Sequence, residues 1–153
     1  MNMEPEEFYF FSEKLVNTWQ TPASNRSAIS RAYYAAHHCG VKLIKTIGFN
    51  LPKKPKHDSI WIILQHAVGD TVAKSAIKLG DLYEDRRRAD YELGKIEYDG
   101  ISKAKSGVTI SSKIVQEFID AINSDQLRKS KLKNAIEEWA KADQSFHYIL
   151  PKT

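Results

Sequence analysis

Cys39 is the single cysteine among 153 residues, so neither an internal disulfide nor a cysteine-rich metal site can be built. Long apolar runs are missing too. The stretch Ile60-Trp61-Ile62-Ile63-Leu64 is as long as any, far short of the roughly 20 residues a membrane-crossing helix needs. Residues 1 to 7 carry Glu4, Glu6 and Glu7 and no basic residue, the wrong charge for a secretory leader, so a cytoplasmic location without membrane insertion is expected. No sign of charge dominates: 23 Lys and Arg against 19 Asp and Glu leave +4, too mild to announce a nucleic-acid binder by itself. Its distribution is more telling, because Lys42 to Lys56 holds five lysines and no acid, and Arg128 to Lys133 four basic residues and no acid.

What remains is 42% hydrophobic and 27% charged residues, enough for one buried core inside a solvated exterior. Strand alternation is absent, and the few Gly and Pro residues cluster between stretches of 3.6-residue period. Pro5, with Glu6 and Glu7 behind it, starts a helix over about residues 5 to 20, with Phe8, Phe11, Leu15 and Trp19 on one face. Thr21-Pro22 breaks it, and Ser24 or Asn25 caps a second helix to about Gly48 whose stripe includes Ala32, Ala36 and Gly40. Phe49 to Lys56, with Pro52 and Pro55, reads as an exposed basic loop. Asp58 or Ser59 caps a short helix through Val68, and a fourth runs from about Thr71 to Leu93. Residues 95 to 110 read as a loop longer than packing requires, and so as a mobile or a functional one. Ser111 or Ser112 then caps a stripe of Ile114, Val115, Phe118, Ile119 and Ile122, and a last helix carries Leu127, Leu132, Ile136 and Trp139. The expectation is an all-α antiparallel bundle of four to five helices, one domain over residues 1–145, with a frayed tail from 146 to 153.

Two segments carry the chemistry. On the second helix, SRAYYAAHH at residues 30–38 places Tyr33, Ala36 and Gly40 toward the core, with Tyr34 and His38 one turn apart on an adjacent face. Histidine at the edge of an apolar stripe is by default a structural hydrogen-bonding residue, and chemically useful near neutral pH where it is not. On the fourth helix, YEDRRRADYEL at residues 83–93 puts Arg86 on the same face as Leu79, Leu82, Ala89 and Leu93. A guanidinium there needs a partner, and Asp90 lies one turn on. Arg87 falls one turn from Tyr83 and Tyr91, where it could stack, and Arg88 is solvated. Such a block is either a structural ion pair or an anion site, since a fixed arginine against an apolar wall suits phosphate.

These two segments, in this order, resemble the HEPN superfamily, particularly its small stand-alone bacterial and archaeal members. Ser30 to Ala36 and His38 match one motif helix, Arg86, Ala89, Asp90 and Tyr91 a second, and Glu117-Phe118-Ile119 suits a third. The likeness covers most of the chain. It implies a HEPN-like helical bundle, commonly a homodimer with an RNA-facing cleft. Its activity would be that of a metal-independent ribonuclease toxin or defence effector, or of a partner to a nucleotidyltransferase. The superfamily's ribonuclease motif sets a histidine shortly after the arginine. Here Tyr91, Glu92 and Leu93 stand in that place, and His37 replaces an aromatic of the first motif.

RNA cleavage without a metal requires deprotonation of the ribose 2′-hydroxyl, protonation of the leaving oxygen and stabilisation of the phosphorane. Arg86 can supply the last. Asp90, Tyr91 and His38 are the candidate acid–base groups beside it, although a carboxylate paired with arginine is a weak base. Lys53, Lys54, Lys56 and Arg87 are the candidate RNA contacts. No cofactor or metal is expected. A non-catalytic RNA- or nucleotide-binding module, or a structural dimerisation domain, are the alternatives.

Overall fold

The computed structural model describes residues 3–152, and among them every regular element is helical. Six α-helices and two 3-10 turns follow one another: α1 (Pro5–Thr18), α2 (Pro22–Thr46), α3 (His57–Gln65), α4 (Thr71–Tyr91), a turn at Ile96–Asp99, α5 (Ile101–Ile122), α6 (Gln126–Ala142) and a turn at Gln144–Ile149. The bundle is all-α as expected, with one α-helix more than the upper expectation.

The longest helix, α2, is the hub and packs against α1, α3, α4 and α5. It starts earlier than expected. Thr21 is its cap, accepting from the Ser24 amide at 3.2 Å while the Thr21 amide donates back to Ser24 Oγ at 2.8 Å. Pro22 sits at the first helical position, where its missing N–H costs nothing. Thr21-Pro22 therefore begins α2 as well as ending α1. Asn25, expected as a cap, instead donates to the Asp99 carbonyl at 2.8 Å. Ala28, Ala32, Ala35 and Ala36 are fully buried. A Cβ on Gly40 would lie 2.7 Å from Ile60 Cγ2, so only glycine lets α3 approach this closely. These small residues are used up inside one chain and leave no surplus for a partner.

The largest departure lies at residues 95–110. The expected loop is a 3-10 turn anchored by buried Tyr98 and followed directly by α5, whose first eleven residues carry its inward face on Ala104, Gly107, Val108 and Ser111. That face keeps the 3.6 period, but small residues signal it weakly. Gly107 faces Ile29 and Leu82, and Ser111 donates to the Ala32 carbonyl at 2.6 Å rather than capping a helix.

Smaller corrections concern helix ends. Lys56 and not Asp58 or Ser59 stands at the start of α3, which stops at Gln65. α4 stops at Tyr91 and leaves Leu93 exposed beyond it. On α1 only part of the expected stripe is inside: Leu15 is buried, while Phe11 and Trp19 are exposed. Nor does the tail fray up to Leu150. Ile149 is fully buried, its carbonyl accepts from the Asn50 amide at 2.9 Å, and the Leu150 carbonyl accepts from Asn50 Nδ2 at 3.1 Å. Among the described residues no helix is long and apolar enough to cross a membrane.

Candidate functional site

Where α2, α3 and α4 meet, aromatic, imidazole and guanidinium groups replace the aliphatic core. Arg86 projects from the inner face of α4 and is 9% exposed. Its Nη2 donates to Tyr34 Oη at 2.7 Å, and its Nε lies 2.9 Å from Asp90 Oδ2. The Nε contact is an ion pair without a well-directed hydrogen bond, since that N–H is aimed at no acceptor. Asp90 Oδ2 also accepts from Ser30 Oγ at 3.1 Å, which ties α4 to α2. The guanidinium lies 5.3, 5.9 and 5.4 Å from the ring centres of Tyr34, Tyr33 and Tyr91. Burial works against its charge, and Tyr34, Asp90 and Tyr91 outweigh that penalty. The site thus holds a permanent cation. Nη1 of Arg86 bonds to no described residue and is not among the fully buried atoms, which leaves one donor open.

Three imidazoles adjoin it. Tyr33, fully buried, sits with its hydroxyl 2.8 Å from Nδ1 of His57 and 3.2 Å from Nδ1 of His37. His37, one turn beyond Tyr33, thereby has a structural account. Burial, then the charges of His57, His38 and Arg86, push its pKa down to about 3. Burial and then Arg86 lower His57, with Asp58 opposing. His38 is lowered by burial and then by His57. All three rings are disfavoured as cations, with burial the first cause in each. No three His, Cys, Asp or Glu side chains among the described residues are arranged to hold a metal ion.

The expected residues separate into three groups. Arg86, Asp90 and Tyr91 do come together, with Tyr91 68% exposed at the rim. His38 is one ring removed from Arg86, stacked on Tyr34 and on Phe8 with centroids 6.0 and 5.5 Å apart. It faces an open groove of about 420 Å³ shared with Phe8, Lys42 and Lys45. Arg87 does not stack between Tyr83 and Tyr91; it bonds Glu84 at 3.2 Å and Glu92 at 2.9 Å. Lys53, Lys54 and Lys56 are exposed and make no ion pair among the described residues. Lys54 and Lys56 line a groove of about 620 Å³ with Phe146 and Tyr148.

Two residues of consequence were not singled out from sequence. His57 follows a proline-lysine loop and carries no local signal; only the packing of α3 on α2 brings it to Tyr33. Arg26 donates to the carbonyls of Ala89 at 2.9 Å and Lys95 at 2.8 Å and pairs with Asp99, closing the C-terminal end of α4 just past Asp90. Basic groups suit the last carbonyls of a helix. Comparison with protein-family models, with curated proteins and with solved structures gives no match for this chain.

Proposed function

We propose that this chain is a HEPN-like, RNA-associated protein, acting in the cytoplasm as a homodimeric, metal-independent ribonuclease of the toxin or defence type. The observation that carries the reading is Arg86, an arginine held rigid by Tyr34 and Asp90 with Nη1 left open among neutral imidazoles. A fixed fork of this kind meets a phosphate with little ordering cost and can stabilise the phosphorane. The histidines matter because Asp90 is tied to Arg86 and Ser30, and Tyr91 stands at the exposed rim.

One observation favours a second reading. Arg86 already spends contacts on Tyr34 and Asp90, and the histidine of the superfamily's motif is replaced by Tyr91-Glu92-Leu93. A binding module that recruits RNA or a nucleotide for a partnering nucleotidyltransferase needs the cation and not the acid–base pair.

The deciding experiment is an RNA-cleavage assay in EDTA with wild type and Arg86→Lys. Lysine keeps the charge and loses the fork, so cleavage is expected to fall by about 10²-fold, the scale of one lost oxyanion donor, in a variant that melts near wild type. Full activity in folded Arg86→Lys would overturn the assignment of Arg86. A wild type that binds RNA and leaves it intact would establish the module instead.

A further inference from the structure

Among the described residues Tyr33 has the one hydroxyl that touches two imidazoles, and both contacts are made to Nδ1. A phenol has one proton to donate and can accept one in return. Tyr33 is fully buried and its hydroxyl meets no other acceptor among the described residues, so it donates to one ring and accepts from the Nδ1–H of the other, and neutral His37 and His57 are in opposite tautomers. The second nitrogen of each ring, Nε2, hydrogen-bonds no described residue, and neither Nε2 is among the fully buried atoms. A continuous path thus runs from Nε2 of half-buried His57, across a buried phenol, to Nε2 of His37, whose residue is 4% exposed.

The geometry points to a proton relay, His57–Tyr33–His37, that takes a proton at His57 Nε2 and releases one at His37 Nε2. In the starting state His57 carries its proton on Nδ1 and bonds it to Tyr33 Oη, while Tyr33 donates to His37 Nδ1 and His37 Nε2 bears a proton. When His57 Nε2 accepts a proton, the Nδ1 proton passes to Tyr33 Oη. The phenolic proton passes to His37 Nδ1, and the His37 Nε2 proton leaves to water. One proton enters and one leaves. His57 ends as the Nε2–H tautomer, able to donate the proton it received, and the reverse shift restores its base form.

The surroundings suit transfer and not storage of charge. Burial raises the Tyr33 pKa far above its ordinary value despite Arg86, so a free phenolate is excluded, and His37 is pushed down to about 3. The groups facing the relay are Arg86, His38, Tyr34 and Tyr83 with Asp58, and all but Asp58 oppose a lasting imidazolium or leave it unaided. His57 is held for the task by Tyr83, stacked with centroids 6.0 Å apart, and by the edge of Tyr34 at 5.8 Å.

The relay stands on this geometry, whereas its use on RNA rests on the function proposed above. Long-range proton–nitrogen spectra of the imidazoles in the ¹⁵N-labelled full chain at neutral pH test the first. His37 and His57 are expected in opposite tautomers, and Tyr33→Phe, which keeps the ring and removes the bridge, is expected to abolish that opposition. The same tautomer on both rings in wild type overturns the relay. On RNA, Tyr33→Phe and His57→Gln are each expected to lower kcat by about 10²-fold, the usual contribution of acid–base catalysis, with RNA affinity unchanged. An undiminished kcat in either folded variant also overturns it. Opposite tautomers in a protein that leaves RNA intact would remove the ribonuclease reading and uphold the relay.

Discussion

Each ionisable side chain in the α2–α3–α4 junction is legible only with its neighbours. Arg86 and Asp90 could be paired from sequence because four residues along one helix face bring side chains together. His37 could not, although it is four residues from Tyr33, since its role depends on the hydroxyl also meeting His57 from another helix. One consequence is a pH dependence of stability. In the unfolded chain His37 takes up a proton as pH falls through ~6.5; in the folded protein it does not until about 3. The unfolded state therefore binds more protons between those values, and stability present at neutral pH is lost on acidification. His37 alone contributes a slope of about 1.4 kcal/mol per pH unit there, and the lowered His38, His57 and His66 act in the same direction. Urea unfolding at pH 7 and pH 5 should show a lower midpoint at pH 5, and His37→Gln should narrow the gap. Equal wild-type midpoints would show that the imidazole charges in place.

At the level of elements, α4 carries the site and Arg26 from α2 holds its end. The Arg26 guanidinium is 8% exposed and satisfies carbonyls that the helix leaves unpaired after Tyr91. Arg26→Ala would strand those acceptors and the Asp99 carboxylate, at about 3 kcal/mol for a buried, hydrogen-bonded ion. Thermal melts should register the loss, and hydrogen exchange should locate it at residues 88–95 in particular. A uniform loss across all helices would mean that Arg26 supports the core and not the end of α4. The start of α5 teaches the converse lesson. Ala104, Gly107 and Ser111 keep helical spacing, but burial of small residues contributes little apolar area per residue, so the segment resembles a loop to any reading based on hydrophobicity.

Over the whole molecule, the mild positive charge is redistributed by pairing. Arg128 of the second basic run is consumed by Asp70 at 2.8 Å and Glu117 at 2.6 Å, and Arg87 by two glutamates. The lysines at 53, 54 and 56 make no ion pair among the described residues, and neither do Lys129, Lys131 and Lys133 of the second run. If the first three track an RNA backbone, affinity should fall with salt at about 0.7 log units per phosphate contact for single strands. Reversing all three to glutamate should flatten that slope, while Arg87→Glu should change it less. Fluorescence anisotropy across a salt series reads both, and a slope unmoved by the triple reversal would discard the patch. The homodimer is expected to scatter light as twice the 17.5 kDa chain. Its support is the family resemblance alone, since the small residues of α2 are spent within one chain, and a monomer at micromolar concentration would end it.

Helical class, most helix locations, the inert single cysteine and the Arg86–Asp90 pair were determined by the sequence itself, because period, caps and i,i+4 contacts act within a few residues. Cys39 is buried as a small apolar side chain, its thiol pushed up to about 12 by burial first of all. Tertiary structure alone decided the rest. It set Arg26 on the end of α4, spent Arg87 and Arg128 on acids, buried Ile149, and brought His57 to Tyr33 from 24 residues away. Contacts between distant segments depend on how helices pack, and no local pattern in the chain encodes which side chains will face each other across that packing.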